Sequence, residues 1–269
     1  MLVRRLAGVL VAGAVIFAFT GCSAPVVVPI PTPTATPVAP SGDGVLRIGD
    51  LMPISGPLAA FAKAQAAGVE LAAREVNDVG GYNAVPVEVF HRNAGDGDAA
   101  VTAASFAELV AKGVDVVIVP ASGTVLSQLI PLARTAGIAL ISPASAEDAP
   151  SGVTVTPAVP DDAFAARLRA SDPGVGDLTY GIEAYDLTIA AVLGATVAKD
   201  DGGLSVAYGL AMATGPGVPC SSYGMCLDVL KTQPAIDYVG LAGQINYSDA
   251  TGVAYFGRAV ASSPASSSK

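Results

Sequence analysis

Between residues 45 and 156 the chain alternates short apolar runs with longer stretches of helical spacing, and this alternation constrains the fold most strongly. The strand-like runs are 45–51, 85–91, 115–119, 138–142 and 152–156. The helical stretches are 58–78, 98–112 and 122–136. A strand–helix–strand order predicts a parallel sheet with right-handed crossovers and helices on both faces. The sequence therefore predicts an α/β fold with a doubly wound parallel sheet.

Four loops follow the carboxyl ends of the predicted strands, where sheets of this kind bind ligands. They are residues 52–57, 91–97, 120–124 and 143–148. We expect the functional residues to lie in these loops.

The loop PASGT (120–124) joins a buried strand to a helix. The hydroxyl of Ser122 and the backbone N–H groups of Gly123 and Thr124 would form an anion site at the helix N-terminus. The loop PISGP (53–57) repeats the pattern with Ser55, and Pro57 suits the first turn of a helix. Each serine could also act only as a helix cap, and that alternative stays open.

Catalytic and nucleotide-binding motifs do not support an enzyme. Ser122 lacks the G-x-S-x-G pattern, and the only histidine, His91, is the only candidate base of the usual kind for a serine hydrolase. Neither a P-loop nor a G-x-G-x-x-G after a strand is present, and no metal-ligand spacing occurs. We expect no enzyme, no cofactor and no metal, and keep a Ser122–His91 hydrolase as a remote alternative.

The first 21 residues have the pattern of an export signal, with Arg4 and Arg5 before a 14-residue apolar core, Leu6–Phe19. Gly21-Cys22 after this core resembles a bacterial lipobox, in which the cysteine carries lipid. An uncleaved anchor and an ordinary signal with an incidental cysteine are the alternatives. All three place the rest of the chain outside the cytoplasm, and the lipobox predicts a lipid anchor at Cys22 on the outer face of the bacterial cell membrane.

A Pro/Thr-rich segment, 22–43, follows the signal and predicts an extended tether. The Ser-rich end, 259–269, predicts a disordered tail. Cys220 and Cys226 lie six residues apart in an exported chain, which favours a disulfide over a metal site. The net charge of −9, without a basic run after residue 5, excludes a typical nucleic-acid binder.

Several motifs together resemble the type I periplasmic substrate-binding proteins, and within them the branched-chain amino-acid (leucine-binding) proteins of ABC transporters. The motifs are G-x-x-x-P-x-S-G-P (49–57), A-R-E-V-N-x-x-G-G (73–81), GIALISPASA (137–146), DPGVGDLTYGIEAYDLTIAAVLGA (172–195) and IDYVGLAGQINYSDATG (236–252). The resemblance covers most of residues 45–258.

The resemblance implies which residues would hold a ligand. In the family, the first lobe binds the amino and carboxylate groups of the ligand. By position, these residues would be Ser122, Gly123, Thr124, Ala144, Ser145 and Ala146, with Phe61 and Tyr180 lining the cleft and Ser55 in the first loop. Family members commonly have Ser or Thr near position 146. Ala146 is instead followed by Glu147 and Asp148, which puts the usual substrate in doubt.

The interval between residues 161 and 172 departs from the family, whose chain crosses there into a second α/β lobe. About one helix fits in this interval, whereas a lobe needs on the order of 100 residues. We therefore expect most of the second lobe to be missing. The predicted organisation is 1–21 signal, 22–43 tether, 44–160 first-lobe core, 161–258 returning helices and strands on the same lobe, and 259–269 tail.

The resulting expectation is an extracytoplasmic substrate-binding lipoprotein that works with an ABC permease and binds a small amino-acid-like solute. A homodimer could supply the wall that the second lobe would otherwise provide. The alternatives are a one-lobed protein-interaction module and a decayed paralogue without a ligand.

Overall fold

The apolar runs of the sequence form the strands of one sheet in the computed structural model, which describes residues 38–145, 155–248 and 250–256. The strands are β1 (Arg47–Met52), β2 (Glu88–Asn93), β3 (Val116–Ile118), β4 (Ala139–Pro143), β5 (Val218–Cys220), β6 (Ile236–Gly240), β7 (Gly243–Ser248) and β8 (Val253–Phe256). The helices are α1 (Ala62–Asp78), α2 (Ala99–Ala111), α3 (Gly123–Ala136), α4 (Asp162–Ser171), α5 (Gly181–Ala198), α6 (Gly203–Ala213) and α7 (Tyr223–Leu230). Short 3-10 turns cover Ala59–Phe61 and Gly95–Gly97.

The eight strands lie in the order β2-β1-β3-β4-β8-β7-β6-β5. Strands β2, β1, β3, β4 and β8 are parallel, and β5 is parallel to β6. Strand β7 is antiparallel to both of its neighbours. The predicted α/β fold with a doubly wound, mainly parallel sheet is confirmed. The sheet is mixed at β7, because short turns join β6 to β7 and β7 to β8, and such hairpins impose antiparallel pairing.

The helix boundaries follow local capping signals in the sequence. Asp98 begins α2 by accepting from the N–H groups of Ala100 and Val101, and Asp161 begins α4 by accepting from Phe164 N. Gly137 ends α3 in the left-handed region, with φ 70°, where glycine has no steric penalty. The predicted start of the 98–112 helix and the predicted end of the 122–136 helix are confirmed.

Helices cover both faces of the sheet, and each face has its own core. One core joins α1, α5 and α6 to strand residues such as Ile48, Val116 and Ile141. The other joins α2 and α3 to Leu51, Val117 and Leu140. Burial of these alternating strand residues is the main stabilising term for the layered arrangement.

The part of the chain after residue 161 packs back onto the same sheet. Helix α4 packs on α1, and α5 crosses α1 so closely that a Cβ at Gly68 would lie 2.3 Å from the carbonyl oxygen of Gly181. Of the described helices, α5 alone has the length and apolarity of a membrane span, with a mean hydropathy of 1.3. Most of α5 is buried in the protein, as in the core helix of a globular domain.

A disulfide joins Cys220, the last residue of β5, to Cys226 in α7. Strand β5 was not expected from the sequence, because its three residues, VPC, are too few to give a periodic signal. The disulfide closes a six-residue separation and links the edge strand of the sheet to the helix that follows it.

Some predictions fall on residues outside the described ranges. They are the signal 1–21, lipidation at Cys22, the tether before residue 38, residues Ala146, Glu147 and Asp148, and the tail 259–269. The predicted strand 152–156 lies mostly outside them as well, and its described residues, Val155 and Thr156, are not in a strand.

Candidate functional site

The carboxyl ends of β1, β3 and β4 meet at one edge of the sheet, because the three strands are parallel. Helices α1 and α3 begin at this edge. The first turn of α5 reaches it too, because Tyr180 and Ala184 share a crevice with Val119 and Pro143. This carboxyl edge therefore gathers loops and helix N-termini from both halves of the chain, as ligand sites in open α/β sheets do.

The 120–124 loop has the geometry expected of an anion-binding turn. The backbone of Ser122 is extended, and its Oγ accepts a hydrogen bond from Val125 N at 3.4 Å. Ser122 therefore caps α3. Within the described residues, the N–H groups of Gly123 and Thr124 have no hydrogen-bond acceptor in the protein, as is usual in the first turn of a helix. Thr124 is exposed and Gly123 partly so. The turn therefore offers two N–H donors and one hydroxyl to a ligand.

The loop after β4 lies beside it and is firmly held. Ala144 N donates to Ala254 O at 2.9 Å, which ties the loop to β8, and both Ala144 and Ser145 are buried. Ser142 Oγ donates to Pro120 O at 3.0 Å and links this loop to the preceding one. Ser142 was not among the predicted site residues. Its position at the end of an otherwise apolar strand was the available signal.

Phe61 and Tyr180 are brought together, although they lie 119 residues apart in the sequence. Their ring centroids are 5.5 Å apart in an edge-to-face arrangement, and both rings are half-buried. The backbone of Tyr180, immediately before α5, has the left-handed conformation, with φ 65°. Burial raises the pKa of its phenol, and the nearby carboxylate of Glu183 adds to the effect. The two rings form an aromatic wall at the carboxyl edge.

Ser55 does not cap the helical turn that leads to this wall. It is exposed, and the first helical turn after it starts at Ala59, with Leu58 as its cap residue. The alternative that Ser55 caps a helix is therefore wrong, and so is the expected place of Pro57 in the first turn. The reason lies at Gly56, which has φ 72° and packs on Asp96, so the loop turns away before the helix begins.

Buried polar groups that were not among the predicted site residues lie near the aromatic wall, and one of them, Gln65, shares a crevice with Tyr180. Gln65 Nε2 donates to Asp50 Oδ1 at 2.6 Å and to Leu51 O at 2.9 Å. Glu183 accepts from Ala158 N at 2.6 Å and is only 3% exposed, and burial raises its pKa. Glu183 and Asp186 are the only charged residues of α5, and acids in an apolar helix were the signal that could have found them.

The serine and histidine considered for hydrolysis are engaged elsewhere. His91 Nδ1 is 2.8 Å from Asp50 Oδ2, and His91 Nε2 is 2.7 Å from Glu70 Oε1. Ser122 Oγ is occupied as the cap of α3. The two residues thus do not form a nucleophile–base pair, which needs a direct hydrogen bond. Among the described residues, no group of three or more metal-ligating side chains occurs.

Two depressions lie near the neighbours of Glu183: Ala184 lines the first, and Ala158, which donates to Glu183, lines the second. The first is a crevice lined by Gln65, Ile118, Val119, Pro143, Tyr180 and Ala184, too narrow for a water molecule. The second is an open groove of about 690 Å³ between residues 157–160 and 176–179. The segment 157–160 forms part of its wall, and Val159 in that segment is 90% exposed. The groove lies between the two chain segments that flank α4.

Comparison with known proteins gives one family match. Residues 45–169 match the family model described as periplasmic binding protein. No curated protein matches the chain significantly. The matched range contains β1 to β4, α1 to α3 and most of α4.

Solved structures similar to this chain include three solute-binding proteins. LivJ of Streptococcus pneumoniae, a branched-chain amino acid transporter substrate binding protein solved with isoleucine, is 31% identical over 38% of this chain and 29% of its own, with a TM-score of 0.35. An R. palustris solute binding protein solved with 4-hydroxybenzoate is 18% identical over 38% and 27%, with a TM-score of 0.33.

The leucine-, isoleucine-, valine-, threonine-, and alanine-binding protein of Brucella ovis is 17% identical over 38% and 27%, also with a TM-score of 0.33. The chain thus spans less than a third of each of these solved chains. Over residues 45–169, which carry the candidate loops after β1, β3 and β4, the chain is similar to the periplasmic binding proteins.

Proposed function

We propose that this chain is an extracytoplasmic substrate-binding lipoprotein of an ABC transporter and binds a small amino-acid-like solute at the carboxyl edge. The family match over residues 45–169 supports this role. The observation that carries the proposal is the 120–124 turn, whose free N–H groups and Ser122 hydroxyl lie at the same edge as the Phe61–Tyr180 wall. A carboxylate and an apolar side chain would each find a complementary surface there.

The ligand's carboxylate would bind at the N-terminus of α3. Backbone N–H donors and the positive end of the helix dipole favour an anion at that position. Ser122 would donate its hydroxyl proton to the carboxylate while its oxygen still caps Val125 N. Ala144 and Ser145 would form the floor, and Phe61 and Tyr180 would contact the apolar part of the solute.

The second lobe of the two-lobed family is, in this proposal, largely missing. Three observations support it: α4 alone fills residues 162–171, α5 packs on α1, and β5 to β8 join the same sheet as β1 to β4. Residues 44–160 and 161–258 would then form one lobe with an open binding edge. A homodimer would enclose the solute, because pockets that bind tightly usually bury most of a ligand's surface.

The described end of the proposed tether, residues 41–43, is attached to the domain by hydrogen bonds to Asp200 and Asp201. The N–H groups of Ser41 and Gly42 donate to the carboxylate of Asp200, and those of Asp43 and Gly44 to Asp201. These contacts lie beside the amino end of β1, at the opposite edge of the sheet from Ser122. The described part of the proposed tether thus joins the domain away from the candidate site.

Calorimetric titration of the protein with the twenty standard amino acids tests the proposal. At least one of them should bind, and Ser122→Ala should weaken that binding about fivefold to tenfold, the effect of one hydrogen bond. Ser222→Ala is the matched control, because Ser222 caps α7 through Met225 N at 3.3 Å, away from the carboxyl edge. No heat with any amino acid, or equal losses in both variants, would contradict the proposal.

A further inference from the structure

The segment 155–160, which leads into α4, presents an apolar side chain and unpaired backbone groups to solvent. Val159 is 90% exposed, more than any other large apolar side chain of the described residues. Pro157 and Pro160 restrict the residues before them to extended conformations. Within the described residues, the one backbone hydrogen bond of this segment joins Ala158 N to Glu183. The segment is therefore rigid in shape but largely unpartnered.

The open groove of about 690 Å³ separates this segment from residues 176–179. Its size falls within the roughly 300–1,000 Å³ of small-molecule pockets, but such pockets enclose most of the ligand, which an open groove cannot do. An extended peptide segment fits better, because it binds through backbone groups and alternate side chains. Val159 on one wall and the half-buried Leu178 on the other offer apolar contacts to one of those side chains.

The charge of the two walls determines which peptide segment is complementary. Residues 155–162 and 172–179 contain four acids and no base. The acids are Asp161, Asp162, Asp172 and Asp177. Lys63 lies beside Asp172 and donates to Gly174 O at 3.4 Å, so it offsets that charge.

The three remaining acids are not compensated. Asp161, Asp162 and Asp177 are exposed, and none of them forms an ion pair among the described residues. Of the arginines in α4, Arg167 pairs with Glu75, and Arg169 lies in the last turn, whereas Asp161 and Asp162 lie at the start. The groove therefore favours a partner with positive charges.

A second copy of this chain does not meet that condition. In a symmetric dimer built on the groove, the same patch would lie on both sides of the interface, and its acids would face acids. Like charges in contact oppose association, and the net charge of −9 on each chain adds repulsion at longer range. A homodimer that encloses the solute must therefore use another part of the carboxyl edge.

We propose that the groove between residues 157–160 and 176–179 is a docking site for a cationic, extended segment of a partner protein. A bulky apolar side chain of that segment packs between Val159 and Leu178. Its Lys or Arg side chains pair with the three uncompensated acids. This inference goes beyond the proposed function and does not depend on it.

Three capped peptides test the groove: Arg-Leu-Pro-Leu-Arg, Glu-Leu-Pro-Leu-Glu and Arg-Ala-Pro-Ala-Arg. The proline keeps each of them extended. In titrations followed by the backbone amide signals in NMR spectra, the first peptide should shift the amides of Val159 and residues 176–179, with a Kd below about 1 mM. The glutamate peptide should bind about tenfold more weakly, and the alanine peptide about fivefold more weakly.

Two variants test the walls separately. Asp177→Asn removes a charge and keeps an oxygen that accepts from Thr179 N, and Val159→Ser removes the exposed apolar group. Each should weaken binding of the basic peptide about twofold to fivefold, the scale of one exposed contact. Asp228→Asn and Leu241→Ser are the matched controls, because they change an exposed acid and an exposed apolar residue outside the groove. Both controls should bind the peptide as the wild type does.

Each alternative occupant gives a different result. Shifts of the same amides when the protein is diluted without peptide would assign the groove to a second copy. Competition between L-isoleucine and the basic peptide for these amides would assign it to the solute site. Either result overturns the proposal, and so do equal affinity for the basic and acidic peptides, an equal loss in the controls, or no shift with the basic peptide at about 1 mM. The proposed function is tested separately by the amino-acid titration.

Discussion

Replacing Asp186 with alanine should loosen the β6–β7 hairpin from α5, and the contacts of this carboxyl group set the size of the effect. Asp186 is fully buried, and it accepts from Tyr238 Oη at 3.1 Å, from Leu241 N at 2.9 Å and from Ala242 N at 2.7 Å. The two backbone donors form the turn of the hairpin. The carboxyl group thus connects the helix that returns to the sheet with the strands that complete it.

The loss in free energy of unfolding depends on which hydrogen-bond donors the substitution leaves without an acceptor. Burial raises the pKa of Asp186 to about 7, so at pH 6 the group is mostly neutral and its hydrogen bonds are of the neutral kind. Loss of the acceptor leaves the buried Tyr238 hydroxyl without a hydrogen-bond partner, which costs about 1–3 kcal/mol. The part-buried N–H groups of Leu241 and Ala242 add about 0.5–1 kcal/mol each. The free energy of unfolding should therefore fall by about 3 kcal/mol.

Urea denaturation at pH 6, followed by circular dichroism, measures this change. Asp228→Ala is the control, because that carboxylate is exposed and pairs only with the exposed Lys231, so its loss should cost under about 1 kcal/mol. In a double-mutant cycle, Tyr238→Phe should recover about 1 kcal/mol of the Asp186→Ala loss. A loss below about 1 kcal/mol in Asp186→Ala would refute the idea that this carboxyl group attaches the hairpin.

Three further predictions concern His91, the disulfide and the close contact between α1 and α5. Hydrogen bonds to Asp50 and a second carboxylate outweigh burial and raise the pKa of His91 to about 9. A shift from 6.5 to about 9 corresponds to about 3 kcal/mol, and solvent screening of the part-exposed ring reduces this contribution to about 2 kcal/mol. The contribution is present below pH 6.5 and lost as the pH rises through 9, so His91→Phe should flatten the stability profile between those values. Reduction of Cys220–Cys226, or the double serine variant, should lower the free energy of unfolding by about 2 kcal/mol in urea titrations, and no change would contradict this. Gly68→Ala should lower the thermal midpoint by several degrees, since its Cβ would clash with a backbone carbonyl of α5.

The order of strands and helices up to residue 142 could be predicted, because each element has its own local signal there. Strand β3 is a β-branched run buried on both faces, and α3 lies between a serine cap and a glycine stop. The returning helices were also recognisable. The antiparallel pairing of β7 was not, since pairing direction depends on the turns after β6 and β7 rather than on strand composition.

Only the loop residues of the candidate site that follow the strands could be predicted from the sequence. Loop residues such as Ser122 follow from the rule that ligands bind beyond the carboxyl ends of parallel strands. An acid in the apolar helix α5 was a signal for Glu183, but its contact with Ala158 joins two segments 25 residues apart and could not be predicted from that signal. The misplaced cap at Ser55 has a similar cause. The loop is shaped by a contact of Gly56 with Asp96, which lies 40 residues away.

Amide hydrogen exchange of the full chain, with and without the amino acid that binds most tightly, tests the central claim most directly. A one-lobed protein that binds solute at the carboxyl edge should show ligand-dependent protection in residues 120–124 and 178–184. The segment 41–44, at the opposite edge, should not change. Protection confined to other segments, or no protection at saturating ligand, would contradict the account.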